Sequence, residues 1–315
     1  MDLYRYNLGI TLYDSGFAAE ATASLRRAIA LRPDDADAHA GLGASLATLD
    51  RHGEASCAFR RALELEPREI DTHCRLAESL HASGSFEEAV GVVRSGLDVS
   101  GSSAELHCRL GASLASLGLH EPAAEALRVA LQLDEDHAEA HFQLGRVLRC
   151  LGRTKDANEH FRLVVDVEVR HSYARAHLAE GYYAVGDFNA AHDAYAEALS
   201  FDSRNMAALH GVGATTLMLG KPSAAERVFE FLTQSSPCDV RAWIGRGASA
   251  ERQPAGADRA EASYAAILRL VDGEHFGAHL ALAHIYVTRG QHRAAVAEYR
   301  WCLEQRPSDG GALVR

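Results

Sequence analysis

Residues 172–205 read SYARAHLAEGYYAVGDFNAAHDAYAEALSFDSRN, and the pattern of this 34-residue segment recurs along the chain. In each recurrence the twentieth position is alanine and the twenty-fourth is a large apolar residue, here Ala191 and Tyr195. Apolar residues at spacings of three and four on both sides of Gly186 are typical of the buried faces of two successive helices. The segment therefore predicts one helical hairpin, and its recurrence predicts a stack of hairpins.

This period divides the chain into nine repeats, of which only the eighth is longer. The predicted repeats are 2–35, 36–69, 70–103, 104–137, 138–171, 172–205, 206–239, 240–275 and 276–309, with residues 310–315 as a partial next helix or a tail. No hairpin of this size buries its own apolar face, so neighbouring repeats must stack. We therefore predict a single all-α solenoid over residues 1–315.

Small residues mark where the predicted helices approach and where they end. Glycine or alanine at position eight allows close approach of the two helices, and the large residue at position twenty-four fills the adjoining space. A glycine ends the first helix in seven repeats, at a position that suits the left-handed conformation: Gly16, Gly84, Gly118, Gly152, Gly186, Gly220 and Gly290.

The eighth repeat departs most from this pattern. It places Arg246 where the other repeats have leucine or valine, and it reads RQPAGAD at 252–258 where a tight turn belongs. Proline and glycine in this segment interrupt a helix. We predict a longer loop between its two helices and a locally weaker stack.

The pattern resembles the tetratricopeptide repeat family. That family favours leucine, glycine and tyrosine at positions seven, eight and eleven, glycine at fifteen, alanine at twenty, an aromatic residue at twenty-four, alanine at twenty-seven and proline at thirty-two. The sixth repeat shows the resemblance well, through Leu178, Tyr182, Gly186, Asp187, Phe188, Ala191, Tyr195 and Ala198. The resemblance implies a helical-hairpin solenoid, wound as a right-handed superhelix with a concave groove lined by first helices. It implies no particular partner.

Composition and charge disfavour several classes of function. The net charge of −11 makes nucleic acid or an anionic membrane surface a poor partner. No apolar run approaches the roughly 20 residues that a membrane span needs. The six cysteines form no CxxC pair or close ligand set, which favours a reduced, cytoplasmic protein. No nucleophile, metal-protease or phosphate-loop motif is present, so we expect no enzyme activity, no cofactor and no metal.

Histidines, cysteines and glycines recur in patterns that resemble a metal site, a disulfide and a phosphate-binding loop, but each pattern has a simpler interpretation. Histidine recurs at position four in His39, His73, His107, His141 and His279. Packed helices lie about 8–10 Å apart, too far for neighbouring histidines to share an ion, so we interpret them as packing residues. The same spacing places Cys74 and Cys108 beyond disulfide reach. Glycine runs such as Gly41-Leu-Gly43 lie on helices and favour close helix packing.

Positions two, five, six, nine and thirteen lie opposite the buried stripe of each first helix, and we predict that they form the concave surface. Arg75 and Arg109, at position six, resemble an anion-binding pair. However, Asp71 and Glu105 precede them by four residues on the same helices, an arrangement that favours ion pairs. We therefore expect both arginines to be neutralised internally.

Repeats five and six differ from the rest of this surface. Their residues are Phe142, Gln143 and Arg146, then Tyr173, His177 and Glu180, with Arg149 and Tyr183 at the edge. Neither arginine has an acidic residue three or four positions away on its helix. Aromatic residues beside arginine are typical of interface hot spots, so these eight residues are the predicted partner-binding site. The alternative, equally open, is that Glu180 bridges to Arg146.

The sequence predicts a non-catalytic scaffold that binds a peptide or protein segment in the groove, preferably an acidic segment with an apolar anchor. Two alternatives stay open: an arm that recruits substrates to a larger enzyme, such as a glycosyltransferase or sulfotransferase, and self-association through exposed terminal repeats. The first repeat begins at Asp2 and residues 310–315 would start a tenth first helix. We therefore expect a longer array, or ends covered by a partner or a second copy.

Overall fold

The computed structural model describes residues 2–168 and 170–305, and it consists of helices joined by short loops. These residues contain no strand. The helices are α1 (Asp2–Asp14), α2 (Ala18–Leu31), α3 (Ala36–Ala47), α4 (His52–Leu65), α5 (Ile70–Ala82), α6 (Phe86–Ser100), α7 (Ala104–Ser116), α8 (His120–Leu133), α9 (Ala138–Cys150), α10 (Thr154–Val167), α11 (Ser172–Ala184), α12 (Phe188–Phe201), α13 (Met206–Met218), α14 (Pro222–Ser235), α15 (Val240–Glu251), α16 (Ala257–Leu270), α17 (Phe276–Thr288) and α18 (His292–Gln305). In this described part of the chain, no helix has both the length and the apolar character needed to cross a membrane.

The chain forms two compact units, Met1–Glu168 with α1 to α10 and Val169–Arg315 with α11 to α18. Within each unit, the two helices of a repeat pack together, and each second helix packs against the first helix of the following repeat. The predicted stacking of helical hairpins is therefore confirmed inside each unit. One solenoid over residues 1–315 stays a prediction, and residues 310–315 lie outside the described residues.

The core of each repeat forms around the two predicted columns. The alanine at position twenty is 0% exposed in eight repeats and 2% exposed at Ala295. Phe161, at position twenty-four, is also 0% exposed, and it lies against Gly145 of the same repeat. A Cβ added to Gly145 would lie 2.7 Å from Cε1 of that ring, so only glycine allows this helix separation. The predicted role of the small residues is confirmed.

The glycine runs serve the same packing. Phe229 lies between Gly213 of its own repeat and Gly245 of the next, where an added Cβ would come within 2.7 Å and 2.3 Å of ring atoms. Both glycines are inside helices, α13 and α15, and neither opens a strand-to-helix loop. The structure thus confirms that these runs are helix contacts rather than phosphate loops.

Each predicted turn glycine adopts the left-handed conformation. The φ angles lie between +70° and +85° at Gly16, Gly84, Gly118, Gly152, Gly186, Gly220 and Gly290. In the second repeat Asp50 takes this position with φ +57°, a conformation in which a residue with Cβ is less favourable than glycine. The end of nearly every first helix is therefore encoded by one residue of the repeat.

The eighth repeat has the predicted longer loop, between Glu251 at the end of α15 and Ala257 at the start of α16. Nε2 of Gln253 in this loop donates to Oε2 of Glu226 at 2.6 Å. Nε of Arg259 donates to the other oxygen of the same carboxylate at 2.9 Å. The Glu226 carboxylate of the preceding repeat therefore accepts hydrogen bonds from the loop and from α16, the helix that follows it.

Arg246 is accommodated in the apolar column of the eighth repeat by polar and aromatic contacts. One of its Nη atoms donates to Oε1 of Glu230 at 3.2 Å, and its guanidinium carbon lies 5.5 Å from the centre of the Trp243 ring. These contacts offset part of the cost of placing a cation there. The predicted weaker stack stays a prediction.

Candidate functional site

Two adjoining hollows lie on the first helices α5, α7 and α9 of the first unit, with His120 of α8 at the border of one of them. The α5 hollow has a volume of about 250 Å³ and the α9 hollow about 190 Å³. We call the two hollows together the first-unit groove. Glu78, Cys108, Arg109 and Glu139 line the α5 hollow, Ser116, His120, Arg146, Arg149 and Cys150 line the α9 hollow, and His81, Ala112 and Gln143 line both.

The first-unit groove follows the surface predicted from position numbers. Cys108, Ala112 and Ser116 occupy positions five, nine and thirteen of the fourth repeat, and all three line it. Ser113 and Ala115 of α7 line it as well, so small side chains predominate along α7. Small side chains let the backbone of a bound segment come close to the helix. Residues at several of the predicted positions therefore line a groove in this unit, and partner binding there stays a prediction.

Arg146 projects from α9 at the edge of the α9 hollow, and its side chain is exposed. Its Nη1 donates to Oε1 of Gln143 at 3.0 Å, and its guanidinium carbon lies 5.9 Å from the centre of the Phe142 ring. Among the described residues of the first unit, no carboxylate lies within ion-pair distance of this guanidinium. Because a guanidinium carries five N–H donors, Arg146 retains donors for an anion.

Gln143 links the two hollows. Its Nε2 donates to Oε1 of Glu139 at 2.6 Å, while its Oε1 accepts the hydrogen bond from Arg146. The amide is thus held between a carboxylate and a guanidinium, with its oxygen directed toward the cation. Arg149 also lines the α9 hollow, and its side chain already interacts with other residues of the protein.

The two arginines at position six are neutralised, as predicted. Nε of Arg75 donates to Oδ2 of Asp71 at 2.6 Å, and Nε of Arg109 donates to Oε1 of Glu105 at 2.8 Å. A second carboxylate, that of Glu78, lies 3.8 Å from Nη1 of Arg109. Both cations are therefore balanced by acids of this face of the first unit, unlike Arg146.

The other predicted site residues lie on α11, in the second unit. Tyr173 is 51% exposed there. Nδ1 of His177 and Oε2 of Glu180 are 3.1 Å apart, within hydrogen-bonding distance. The ring of Tyr183 packs edge-on against Phe188, with the ring centres 5.3 Å apart. The second unit therefore presents an exposed aromatic residue beside a histidine–carboxylate pair.

The structure brings together Phe142, Gln143, Arg146 and Arg149 on α9, and it brings together the four residues on α11. The prediction that all eight form one surface joins residues of different units. The alternative bridge from Glu180 to Arg146 does so too. Both stay predictions.

The position-four histidines have a role that the sequence did not reveal. In His39, His73, His141 and His279, Nε2 lies 2.8 to 2.9 Å from the carbonyl oxygen six residues earlier. Nε1 of Trp243 makes the same bond to Pro237 at 2.8 Å. Because a carbonyl only accepts, Nε2 of each histidine carries the proton. Each of these rings connects a first helix to the loop before it. The sequence signal that could have predicted this role is the recurrence, at position four, of ring side chains that carry an N–H group.

Neither the histidines nor the cysteines of the described chain form a ligand cluster. Across residues 2–168 and 170–305, no three His, Cys, Asp or Glu side chains are placed to hold a metal ion. Cys74 and Cys108 are buried, and burial together with nearby carboxylates raises the pKa of each thiol to about 12. Both therefore stay neutral thiols at physiological pH. Cys108 lines the α5 hollow as predicted, whereas Cys74 is buried and lines neither hollow.

Two sequence models described as tetratricopeptide repeat match the chain, one at residues 6–70 and 217–276 and the other at 104–137 and 276–309. Together they span more than half of the chain. The chain belongs to the tetratricopeptide repeat family. As a member of this family it is a scaffold for protein interactions. Among curated protein sequences, no significant match was found.

Solved structures share the tetratricopeptide repeat fold at low sequence identity. The APC/C hetero-tetramer Cut9-Hcn1 matches with a TM-score of 0.67 and 15% identity, over 94% of this chain and 57% of that chain. PilW, a type IV pilus biogenesis factor, matches with a TM-score of 0.58 and 18% identity, over 66% and 96%. PilF of Pseudomonas aeruginosa matches with a TM-score of 0.56 and 16% identity, over 66% of this chain and 94% of that chain. These similarities establish the fold.

Three histidines of the first unit favour the neutral form in this tetratricopeptide repeat chain. Burial lowers the pKa of His107 below its ordinary value of 6.5. Burial and the adjacent His141 lower the pKa of His160. For His81, in the first-unit groove, burial is again the main cause, followed by the positive charges of Arg146 and Arg109. Folding therefore opposes protonation at all three rings.

We expect acid to destabilise the fold through these rings. The three rings take up protons near pH 6.5 in the unfolded chain but only at lower pH in the folded chain. Their contribution to the free energy of unfolding is therefore fully present above pH 6.5 and is lost as the pH falls toward the lowered pKa values of the folded chain. Urea titrations at about pH 7.5 and about pH 5.5 measure the loss. It should be smaller in His160→Gln than in the wild type, whereas equal losses would contradict this assignment.

Proposed function

We propose that this tetratricopeptide repeat chain is a non-catalytic, cytoplasmic scaffold that binds an acidic protein segment with an apolar anchor in the first-unit groove. One observation carries the proposal: the Arg146 guanidinium meets only a neutral amide and an aromatic ring within its unit. The six free cysteines agree with a reducing compartment.

The chemistry of the α9 hollow supports an anionic ligand. Arg146 and Arg149 line it with His81 and His120, and none of its lining residues is acidic. A carboxylate here would form a charge-assisted hydrogen bond with Arg146, which is stronger than a bond between neutral groups. It would also replace the Gln143 amide as the main partner of that guanidinium.

An apolar anchor is supported by the surface around Arg146. The half-buried Phe142 ring lies beneath the guanidinium, and the partly exposed Ala112 and Ala115 add apolar surface to the α9 hollow. An aromatic or aliphatic side chain placed against this surface would exclude water from the carboxylate–guanidinium contact. Hydrogen bonds between charged groups gain strength when they are shielded in this way.

Binding of defined peptides tests the proposal. We expect a capped peptide with glutamates beside one phenylalanine to bind about tenfold tighter than the same peptide with glutamine in place of glutamate, since a charged hydrogen bond contributes about 1.5–3 kcal/mol. Calorimetric titration measures both affinities. Equal affinity for the two peptides would contradict an anion-binding groove.

A charge-neutral variant controls for binding elsewhere on the protein. In Arg146→Gln the tenfold preference for the glutamate peptide should disappear, while far-ultraviolet circular dichroism stays unchanged. If the variant keeps the preference, the anion binds at another place and the assignment to the α9 hollow is wrong.

A further inference from the structure

The two hollows of the first-unit groove carry opposite charge. Arg146 gives the α9 hollow a positive charge, whereas Glu78 and Glu139 line the α5 hollow. Arg109 also lines the α5 hollow, but Glu105 outside the hollow already accepts a hydrogen bond from it at 2.8 Å. The α5 hollow is therefore net negative.

The carboxylates of the α5 hollow have acceptor capacity left. Side-chain exposure of Glu78 is 62%, and its contact with Arg109 is long, at 3.8 Å. Glu139 accepts one hydrogen bond, from Gln143 at 2.6 Å. A carboxylate offers about four lone-pair sites, so both groups have acceptors free for a cation.

Gln143 fixes which end of the groove carries which sign. Its amide nitrogen donates to Glu139 and its oxygen accepts from Arg146, so reversing the amide would turn both contacts into repulsions. The order along the groove, from carboxylates through the amide to the guanidinium, is thus built into α9. Ala112 of α7 lies between the two ends and lines both hollows.

We propose that the first-unit groove selects an extended segment of mixed charge. An acidic residue of the segment binds Arg146 in the α9 hollow, a basic residue binds Glu78 and Glu139 in the α5 hollow, and a small residue between them passes over Ala112. This inference rests on the proposed function and adds the second charge. Complementary charge at both ends rejects segments that carry only one sign, because a like charge would then face one hollow.

Three families of capped peptides test the inference against the full chain: acid–spacer–acid, acid–spacer–base and base–spacer–base, each with alanine spacers of varied length. By fluorescence anisotropy, we expect the best mixed-charge peptide to bind about tenfold tighter than the best acid–acid peptide, the size of one charged hydrogen bond. An acid–acid peptide that binds as tightly as the mixed one overturns the inference and leaves the acidic-segment function standing.

A double variant assigns the basic end of the segment. Glu78→Gln with Glu139→Gln should remove the advantage of the mixed peptide while retaining binding of acid–acid peptides, which shows that the groove is still folded. If the double variant keeps the tenfold preference, the base binds elsewhere and the inference is overturned. Arg146→Gln should instead favour base–base peptides, and a preference unchanged in this variant also counts against the proposal.

Discussion

Replacing Phe161 with alanine is expected to lower the free energy of unfolding by about 3–5 kcal/mol, the usual loss for a phenylalanine removed from a well-packed core. The ring is 0% exposed and lies against Gly145 on one side and Phe142 on another. Its removal leaves a cavity between α9 and α10, where the ring now packs against both of these residues. Urea titration followed by circular dichroism gives the value.

Leu163, two residues further along α10, is a matched control because its side chain is 46% exposed. Leu163→Ala should change stability by about 0.5 kcal/mol or less, as surface substitutions usually do. Similar losses for Phe161→Ala and Leu163→Ala would mean that position twenty-four does not hold the repeat together.

The second large effect is expected in binding. Arg146→Ala should weaken binding of an acidic, phenylalanine-containing segment by about 2 kcal/mol, roughly thirtyfold, as is common for an interface arginine beside an apolar anchor. The guanidinium supports no ion pair within the described first unit, so its removal should leave the thermal midpoint nearly unchanged. Calorimetry with the capped glutamate peptide measures the change.

Arg75→Ala provides the comparison, because Asp71 already neutralises that guanidinium. Its effect on affinity should be small.

Tyr183→Ala tests the predicted extension of the site into the second unit and should weaken binding of a longer segment. Full affinity in the Arg146→Ala, Tyr183→Ala double variant would place the binding site elsewhere.

The packing of each repeat was predictable because single residues decide it. Close helix approach requires a small residue at positions eight and twenty, and a positive φ favours glycine at the turn. Each constraint therefore limits the residue type at one position of the repeat. Arg75 and Arg109 were predictable for a similar reason, since their acidic partners lie one helical turn away.

The polarity of the groove was not predictable in this way. It arises because Glu78 of α5, Arg109 of α7 and Gln143 of α9 face one hollow, and the sequence gives no distance between side chains of different helices. The histidine bonds to the preceding loops were missed because their partners are backbone carbonyls, which every residue has. In the eighth repeat, the two extra residues indicated a longer loop but not the carboxylate of Glu226 that braces it.

Partner binding in the first-unit groove can be mapped residue by residue. Nuclear magnetic resonance tests it most directly, by following backbone amide shifts of the full chain during titration with the capped glutamate–phenylalanine peptide. We predict that the largest changes fall on α5, α7 and α9, around Ala112, Gln143 and Arg146, and that they are smaller in Arg146→Gln at the same peptide concentration. Changes concentrated on α6, α10 and the part of α8 beyond His120 would contradict binding in this groove.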